Sequence, residues 1–478
     1  MSPTPRQVAV TNTIPSRPEA EGPDTADWER YPFDLVPGDD ELAFPASEGA
    51  HPQYEADTWY LSGQLTAPTT DRNFAFLGIF NMNRPGGSVV ADFYTMALFD
   101  LDRGVYGTYT DYDMPPQSMK PGAIPKLTSA AGHLDMTYDS GAGRVEWIAQ
   151  RDAAGQLIPY TYDVVLVGTD QNGIAMELRL NVEPTRAPVP VGADVYNGRI
   201  PHGGQAETFS YFQTGMTMSG NLKWGDVDAE VAGSAGHIDR QWFPLPPGAA
   251  AADGDYRTSS HEWWTIHLDN GVDFIGWQQF DRRKHNALHP FSGATVTYAQ
   301  PGPDPQCVED IEVKTTSYVR WPESVRQLAR APFAARYLVD LHTITSESLE
   351  LEISASPLVA LPAHALPIEY MEGPALFEGT MGGKPVSGIG IWECSLALYR
   401  DWELVDVLAT TVSTRPDADS LTPLVGTLSQ LIGEGQQQEA IDYVQTDVRP
   451  AVGRLSGDTA EIDQILDDLT VVLSAPDA

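Results

Sequence analysis

Two stretches decide the fold: Asp57-Thr58-Trp59-Tyr60-Leu61-Ser62-Gly63-Gln64-Leu65, followed by Phe74-Ala75-Phe76-Leu77-Gly78-Ile79-Phe80, and later His261-Glu262-Trp263-Trp264-Thr265-Ile266-His267-Leu268, followed by Asp273-Phe274-Ile275-Gly276-Trp277-Gln278-Gln279-Phe280. Each opens with an acid and one or two aromatics on a strand-like run. A turn and a second run ending in Phe complete it, so the same first hairpin is used twice. Working outward, Arg144–Gln150, Tyr160–Val167 and Ile174–Val182 also have strand length and β-branched or aromatic content. Connectors such as Asn83-Arg84-Pro85-Gly86-Gly87 and Asp170-Gln171-Asn172-Gly173 carry turn chemistry. Many short strands without intervening helices argue for an all-β chain of antiparallel barrels or sandwiches, here two similar barrels.

Length and composition agree. The chain has 478 residues, too long for one barrel, with 42 Gly and 38 Pro to punctuate strands. The expected division is an N-terminal flexible arm over 1–45, a first barrel over 46–230, a second over 231–405 and a helical extension over 406–478. In that extension Leu421–Ile432 and Glu439–Val448 read as helices, the latter stopped by Pro450. Asp458 and Thr459 cap a last helix with Ile462, Ile465, Leu466, Leu469 and Leu473 at helical spacing.

The net charge of -37, with 29 Lys+Arg against 66 Asp+Glu, excludes nucleic acid as a partner, because a phosphate backbone needs a basic surface. It also disfavours anionic membranes. The acids are spread along the chain and read as a solvated coat. The chain contains no apolar run long enough for a transmembrane helix and no signal-like start, so a cytoplasmic protein is expected. Cys307 and Cys394 are too few for a disulfide framework. The sequence lacks GxSxG, Walker, HExxH and dinucleotide-loop patterns. His285 and His289 have i, i+4 spacing, but no helix is expected there, so neither metal nor cofactor is expected.

Chemistry concentrates in Gly236-His237-Ile238-Asp239-Arg240-Gln241-Trp242. On a strand, His237, Asp239 and Gln241 point one way and Ile238, Arg240 and Trp242 the other. If the first set is buried, the carboxyl pKa rises and an adjacent imidazole shares or relays its proton. A structural alternative makes Asp239 and Arg240 partners in a buried ion pair. Glu262, at the start of an aromatic strand, is a second candidate acid. Trp263 and Trp264 alternate faces, so one is core; Trp59, Trp264 and Trp277 are candidates to line a cavity.

At these residues the chain resembles the lipocalin-like family that contains carotenoid 1,2-hydratase (hydroxyneurosporene synthase), AttH-type proteins and kievitone hydratase. Its early EWWYLTG-like strand is matched by Asp57-Thr58-Trp59-Tyr60-Leu61-Ser62-Gly63, and its central WxDxxWG-like segment by His237-Ile238-Asp239-Arg240-Gln241-Trp242. Its late GxPVxGxGxxE segment is matched by Gly383-Lys384-Pro385-Val386-Ser387-Gly388-Ile389-Gly390-Ile391-Trp392-Glu393. Departures are Asp57 and Thr58 for Glu and Trp, Phe243 for Gly, and His237 where many members carry an aromatic. The resemblance implies two tandem lipocalin-like antiparallel β-barrels with a small C-terminal helical extension. It also implies a hydrophobic small-molecule ligand and cofactor-free hydration, dehydration or cyclisation of C=C bonds in an isoprenoid or polyketide-like substrate. In that reading Asp239, tuned by His237, is general acid or base and Glu262 a second candidate. Trp59, Tyr60, Trp242, Trp264, Trp277 and Trp392 bind substrate. The rivals are a non-catalytic carrier of a lipophile and a shape-only, pericyclic cyclase.

Overall fold

The computed structural model describes residues 26–84, 92–112, 125–201, 207–243, 259–281, 287–288, 292–320, 337–360, 362–364, 370–395 and 401–474. His285 and His289 lie outside them. The strands used below are, in chain order, β1 (Ala56–Ala67), β2 (Arg72–Asn83), β3 (Phe93–Asp100), β4 (Val105–Tyr112), β5 (Asp135–Ser140), β6 (Gly143–Arg151), β7 (Leu157–Thr169), β8 (Ala175–Pro184), β9 (Glu207–Thr214), β10 (Met216–Trp224), β11 (Val227–Gly233) and β12 (Gly236–Phe243). The second half adds β13 (Ser259–Leu268), β14 (Val272–Asp281), β15 (Gly293–Tyr298), β16 (Glu312–Arg320), β17 (Tyr337–Ser346), β18 (Leu351–Pro357), β19 (Tyr370–Met381) and β20 (Lys384–Ser395).

Strand β1 organises the first sheet. Its alternation sends Trp59, Leu61 and Leu65 into one core with Phe74, Phe76 and Phe80 of β2. Tyr60 goes to the other face with Ala75, Leu77 and Ile79. One edge of β1 pairs with β2 along its length. Its other edge is shared: Ala56–Gly63 pair with β12, and Thr66 pairs with β11. From β11 the sheet continues through β10, β8, β7, β6 and β5, and from β2 through β3 and β4. The sheet curls until its ends meet, with Tyr138 donating to the Asp111 carbonyl at 3.1 Å and Tyr94 to the Val167 carbonyl at 3.1 Å. Residues 26–45, expected within a flexible arm, pack on this barrel: Leu42 and Phe44 are buried, and Tyr31 and Phe44 set their rings edge-on to Tyr160. Their aromatic content has apolar area to remove from water.

The second sheet runs β15-β14-β13-β20-β19-β18-β17-β16. Its centre repeats the plan of the first: the hairpin β13–β14 matches β1–β2, and β20 flanks β13 as β12 flanks β1. The fold is therefore all-β, two curled antiparallel sheets in tandem, with a helical end. Strand β12, which the sequence reading placed with the second barrel, hydrogen-bonds in the first sheet between β9 and β1.

The two sheets pack back to back. The outer faces of β1–β3 meet β19, where Tyr60, Leu77, Ile79 and Phe99 share a cluster with Tyr370. Phe212 of β9 meets Ile275 and Trp277 of β14. Polar links cross the same seam: Thr108 to His364 at 2.7 Å, the Gly192 amide to the Thr295 hydroxyl at 2.7 Å, and Arg186 to Asp273 at 2.9 Å.

The C-terminal helices α1 (Asp401–Ser413), α2 (Thr422–Gly433), α3 (Gln437–Tyr443) and α4 (Ala460–Ser474) have a core of their own. All five apolar positions expected on the last helix are buried in it, and Asp458 caps the Ala460 amide at 3.0 Å. Pro450 does not stop the third segment. A π turn over Val444–Val448 precedes it, and the helix runs on through Arg449–Val452. The wider turn relieves the clash that a proline ring makes with a preceding carbonyl. Among the described residues, no helix is long and apolar enough to cross a membrane.

Candidate functional site in the seam between the sheets

The alternation on β12 separates two kinds of chemistry. Ile238 and Trp242 enter the first core, and Arg240 follows them. Its guanidinium lies 4.0 Å from the Trp59 ring and donates to Asp57 Oδ1 at 2.8 Å and to the Gly49 carbonyl at 2.6 Å. Asp57 in turn accepts the His51 amide at 2.7 Å. Burial pushes the Asp57 carboxyl up, but the Arg240 charge and the His51 contact outweigh it and hold it below the usual range. The ion pair considered for Asp239 and Arg240 is therefore not formed. Sequence neighbours on a strand face opposite ways, and the partner of Arg240 is Asp57.

His237 and Asp239 take the other face, toward the second sheet. Asp239 sits directly across from Tyr60 on β1 and Phe212 on β9. Its Oδ1 is buried without a hydrogen-bond partner among the described residues, as are the Tyr60 hydroxyl and both His237 ring nitrogens. Burial first, and then the charge of Glu393 on β20, raise the Asp239 carboxyl well above its ordinary range.

Glu393 completes the seam from the other side. His261 Nε2 meets its Oε1 at 2.7 Å. Glu372 on β19 is its direct cross-strand neighbour and accepts the Tyr370 hydroxyl at 2.9 Å. Two acids opposed on one face of a sheet repel. Burial, and then Glu393, push Glu372 well up, so the repulsion is relieved by a proton. The His261 and Glu393 side chains are 24% and 14% exposed and Asp239 is 9% exposed. Asp239, pushed toward its neutral form, can give up a proton, and Glu393 beside it is held at hydrogen-bond distance from an imidazole.

His237 lies toward a different end of the seam. Burial, and then the His267 charge, push its imidazole pKa far down, with Asp273 opposing. Asp273 is itself held by His267 at 3.3 Å and Arg186 at 2.9 Å. His237 packs against the rings of Phe212 and Tyr60. It shares a face with Asp239, but the charged groups that act on the two are different.

The remaining expected residues are dispersed. Tyr60 and Trp277 are in the seam. Trp59 and Trp242 are inside the first barrel around Arg240, and Trp264 and Trp392 are inside the second sheet. Glu262 faces that second interior, beside Cys394 and away from Asp239. Sequence reasoning missed Glu393, His261, Glu372 and Tyr370. Glu393 flanks Trp392 and His261 lies two residues before Trp263, and alternation places them on one face once β13 and β20 are known to pair. For Glu372 the sequence carries no such sign. Among the described residues no three of His, Cys, Asp and Glu are arranged to hold a metal ion.

Comparisons with known proteins give a fold likeness. The chain is similar to a protein of Nitrosomonas europaea assigned as an AttH, at 18% identity and TM-score 0.55 over 77% of this chain and all of that one. It is also similar to kievitone hydratase from Nectria haematococca, at 14% identity and TM-score 0.51, over 74% of this chain and 91% of that one. No family model matches the sequence, and no curated protein matches it. The lipocalin-like architecture is thereby shared with proteins of very different sequence.

Proposed function

We propose that the protein is a cofactor-free hydratase, running in either direction, acting on a C=C bond of a hydrophobic isoprenoid or polyketide-like molecule held in the seam. The observation that carries this is Asp239: a buried carboxyl pushed well up, with its Oδ1 lacking a hydrogen-bond partner among the described residues, near Glu393, which meets His261. In hydration, Asp239 gives its proton to one alkene carbon, and the second carbon becomes electron-poor. Tyr60, Tyr370, Trp277 and the acidic side chain of Glu393 surround that charge. Water adds to the second carbon as Glu393 takes its proton. Passage of that proton to Asp239 restores the site, and dehydration is the reverse. The resemblance to hydratases supports this reading at the level of fold. The setting proposed is the cytoplasm.

The test begins with native mass spectrometry of freshly purified protein and extraction of any co-purified lipophile, before and after incubation. A lipophile that changes by the mass of one water is expected. Asp239→Asn should lower turnover by about 10²–10⁴-fold while melting temperature and ligand affinity hold. A lipophile returned unchanged would make the protein a carrier. Turnover that is insensitive to Asp239→Asn and to pH, yet lost on changing Trp277, would make it a shape-only cyclase.

A further inference from the structure

Glu372 and Glu393 oppose each other in the closer of the two arrangements an antiparallel ladder allows. A short segment before β19 runs alongside its start: the Leu358 amide donates to the Pro374 carbonyl at 2.9 Å, the Glu372 amide to the Pro362 carbonyl at 3.0 Å and the His364 amide to the Tyr370 carbonyl at 3.3 Å. The Glu372 carbonyl faces the same way and accepts from His364 Nε2 at 2.7 Å. Both backbone polar groups of Glu372 thus point away from β20, although Glu393 is its register partner there. That makes the two acids a non-hydrogen-bonded pair, in which facing Cα atoms are only about 4.5 Å apart and side chains lie closest. Pro374 and Pro385 agree with this phase: a proline has no N–H to give a ladder, and each lies an even number of residues from the acid on its own strand.

His364 ties this pair to the first barrel. A carbonyl only accepts, so His364 Nε2 carries the hydrogen, and Nδ1 offers its lone pair to the Thr108 hydroxyl on β4 at 2.7 Å. The same segment donates the Ala363 amide to the Tyr106 hydroxyl of β4 at 3.2 Å. His364 is fully buried, and burial lowers its imidazole pKa to about 4, so one tautomer persists at neutral pH. Among the described residues, the titratable groups that face the acids are Asp239 on β12, Tyr60 on β1, His261 on β13 and Tyr370 on β19. Cys394, next to Glu393 in the chain, takes the opposite face of β20. Burial holds a proton on Glu372, and the Glu393 charge strengthens that hold.

We infer that Glu372 and Glu393 form a single proton-holding site, one proton shared between two carboxyls, and that His364 is the positioning residue that sets their approach from the first barrel. The inference deepens the hydratase reading and rests on it only for what the proton does. There, the oxygen of water bonds to the electron-poor carbon and its proton passes to Glu393. The pair then holds two protons until one returns to Asp239. At no stage do two buried charges face each other across β19 and β20.

The test reads the carbonyl stretch of neutral carboxyls by infrared difference spectroscopy on the full chain, with no ligand added. At neutral pH, Glu372→Gln should remove one such band, which assigns it. In Glu393→Gln that band should move to the position of an isolated acid. The pH at which it bleaches should fall by about one unit or more, because the charge that held the proton is gone. Thr108→Val should move the band the same way and Thr108→Ser should restore it, a pattern that a loss of packing alone does not give. Glu393 is 14% exposed, so its variant carries the decision even where Glu372→Gln fails to fold. No band lost in Glu372→Gln, or a band that Glu393→Gln leaves unmoved in position and in pH, overturns the shared site. A band that moves in Glu393→Gln but not in Thr108→Val overturns the role of His364. If the band behaves as expected and no lipophile gains or loses water, the hydratase reading falls and the pair stands; hydration with an unmoved band means the reverse.

Discussion

The two barrels place an acid at the same point of their first hairpin and treat it in opposite ways. Asp57 and Glu262 both face inward, and both precede by two residues an inward tryptophan. Asp57 meets Arg240 and both the imidazole and the backbone amide of His51, and it is held below the ordinary carboxyl range. Glu262 has no arginine opposite its strand and is pushed up to about 8, burial being the main cause. One duplicated plan thus yields one inward acid held ionised by a cation across the sheet and one that burial pushes toward its neutral form. Charge in a buried place is tolerated when paired; otherwise the group takes up a proton.

The largest effect expected from this contrast is at Arg240. Arg240→Leu should cost about 3–5 kcal/mol in urea denaturation, because Asp57 would remain buried without its cation. Asp57→Asn in that background should restore part of the loss, a coupling a double-mutant cycle would read directly. A loss below about 1 kcal/mol would erase the difference between the barrels.

Glu262 should act through pH. Its folded pKa is raised to about 8, so the folded chain binds more protons than the unfolded chain between the ordinary carboxyl range near 4.3 and that value. Stability from this group is fully present below the lower limit and is lost as pH rises through the upper one. Glu262→Gln should therefore flatten the fall in stability over that window, by an amount on the order of a few kcal/mol. Asp57 has the reverse sign: its contribution is present above the unfolded pKa and is lost as pH falls through the depressed one. Denaturation curves of the two variants across pH that run in the same direction would sink the comparison.

The smallest effect sharpens it sterically. Gly78 on β2 stands across from Leu61, and Gly276 on β14 across from Trp264. A Cβ at Gly78 would meet a Leu166 methyl at 3.0 Å, whereas one at Gly276 would meet the Trp264 ring at 2.1 Å. Gly276→Ala should cost about 1–3 kcal/mol and Gly78→Ala less than that, because a leucine turns aside where a stacked indole does not. Thermal melts of the two variants measure the difference.

Much of this was legible along the chain. The doubled hairpin reads directly from its two aromatic runs. The helical end reads from Ile462, Ile465, Leu466, Leu469 and Leu473, all of which are buried together. Phe74 to Phe80 form a nearly unbroken apolar run, and β2 is buried on both faces; in Ala175–Pro184 polar and apolar residues alternate, and exposed positions recur along the strand. The alternation on β12 likewise separated His237 and Asp239 from Arg240 before any contact was known.

What alternation leaves open is which face meets which. Period two says that His261 and Glu393 point away from Glu262 and Trp392; it does not say that this outward side lies against Asp239 and Tyr60. Nor does it bring in Glu372, which reaches the cluster only through the β19–β20 pairing. By itself the sequence determined the elements, their repetition and the side each residue takes, because these follow from local backbone geometry and the burial of apolar area. The tertiary structure alone decided the candidate site. A seam between two sheets draws its residues from strands far apart in the chain, and only packing settles whether a buried acid meets an arginine, a second acid or an indole.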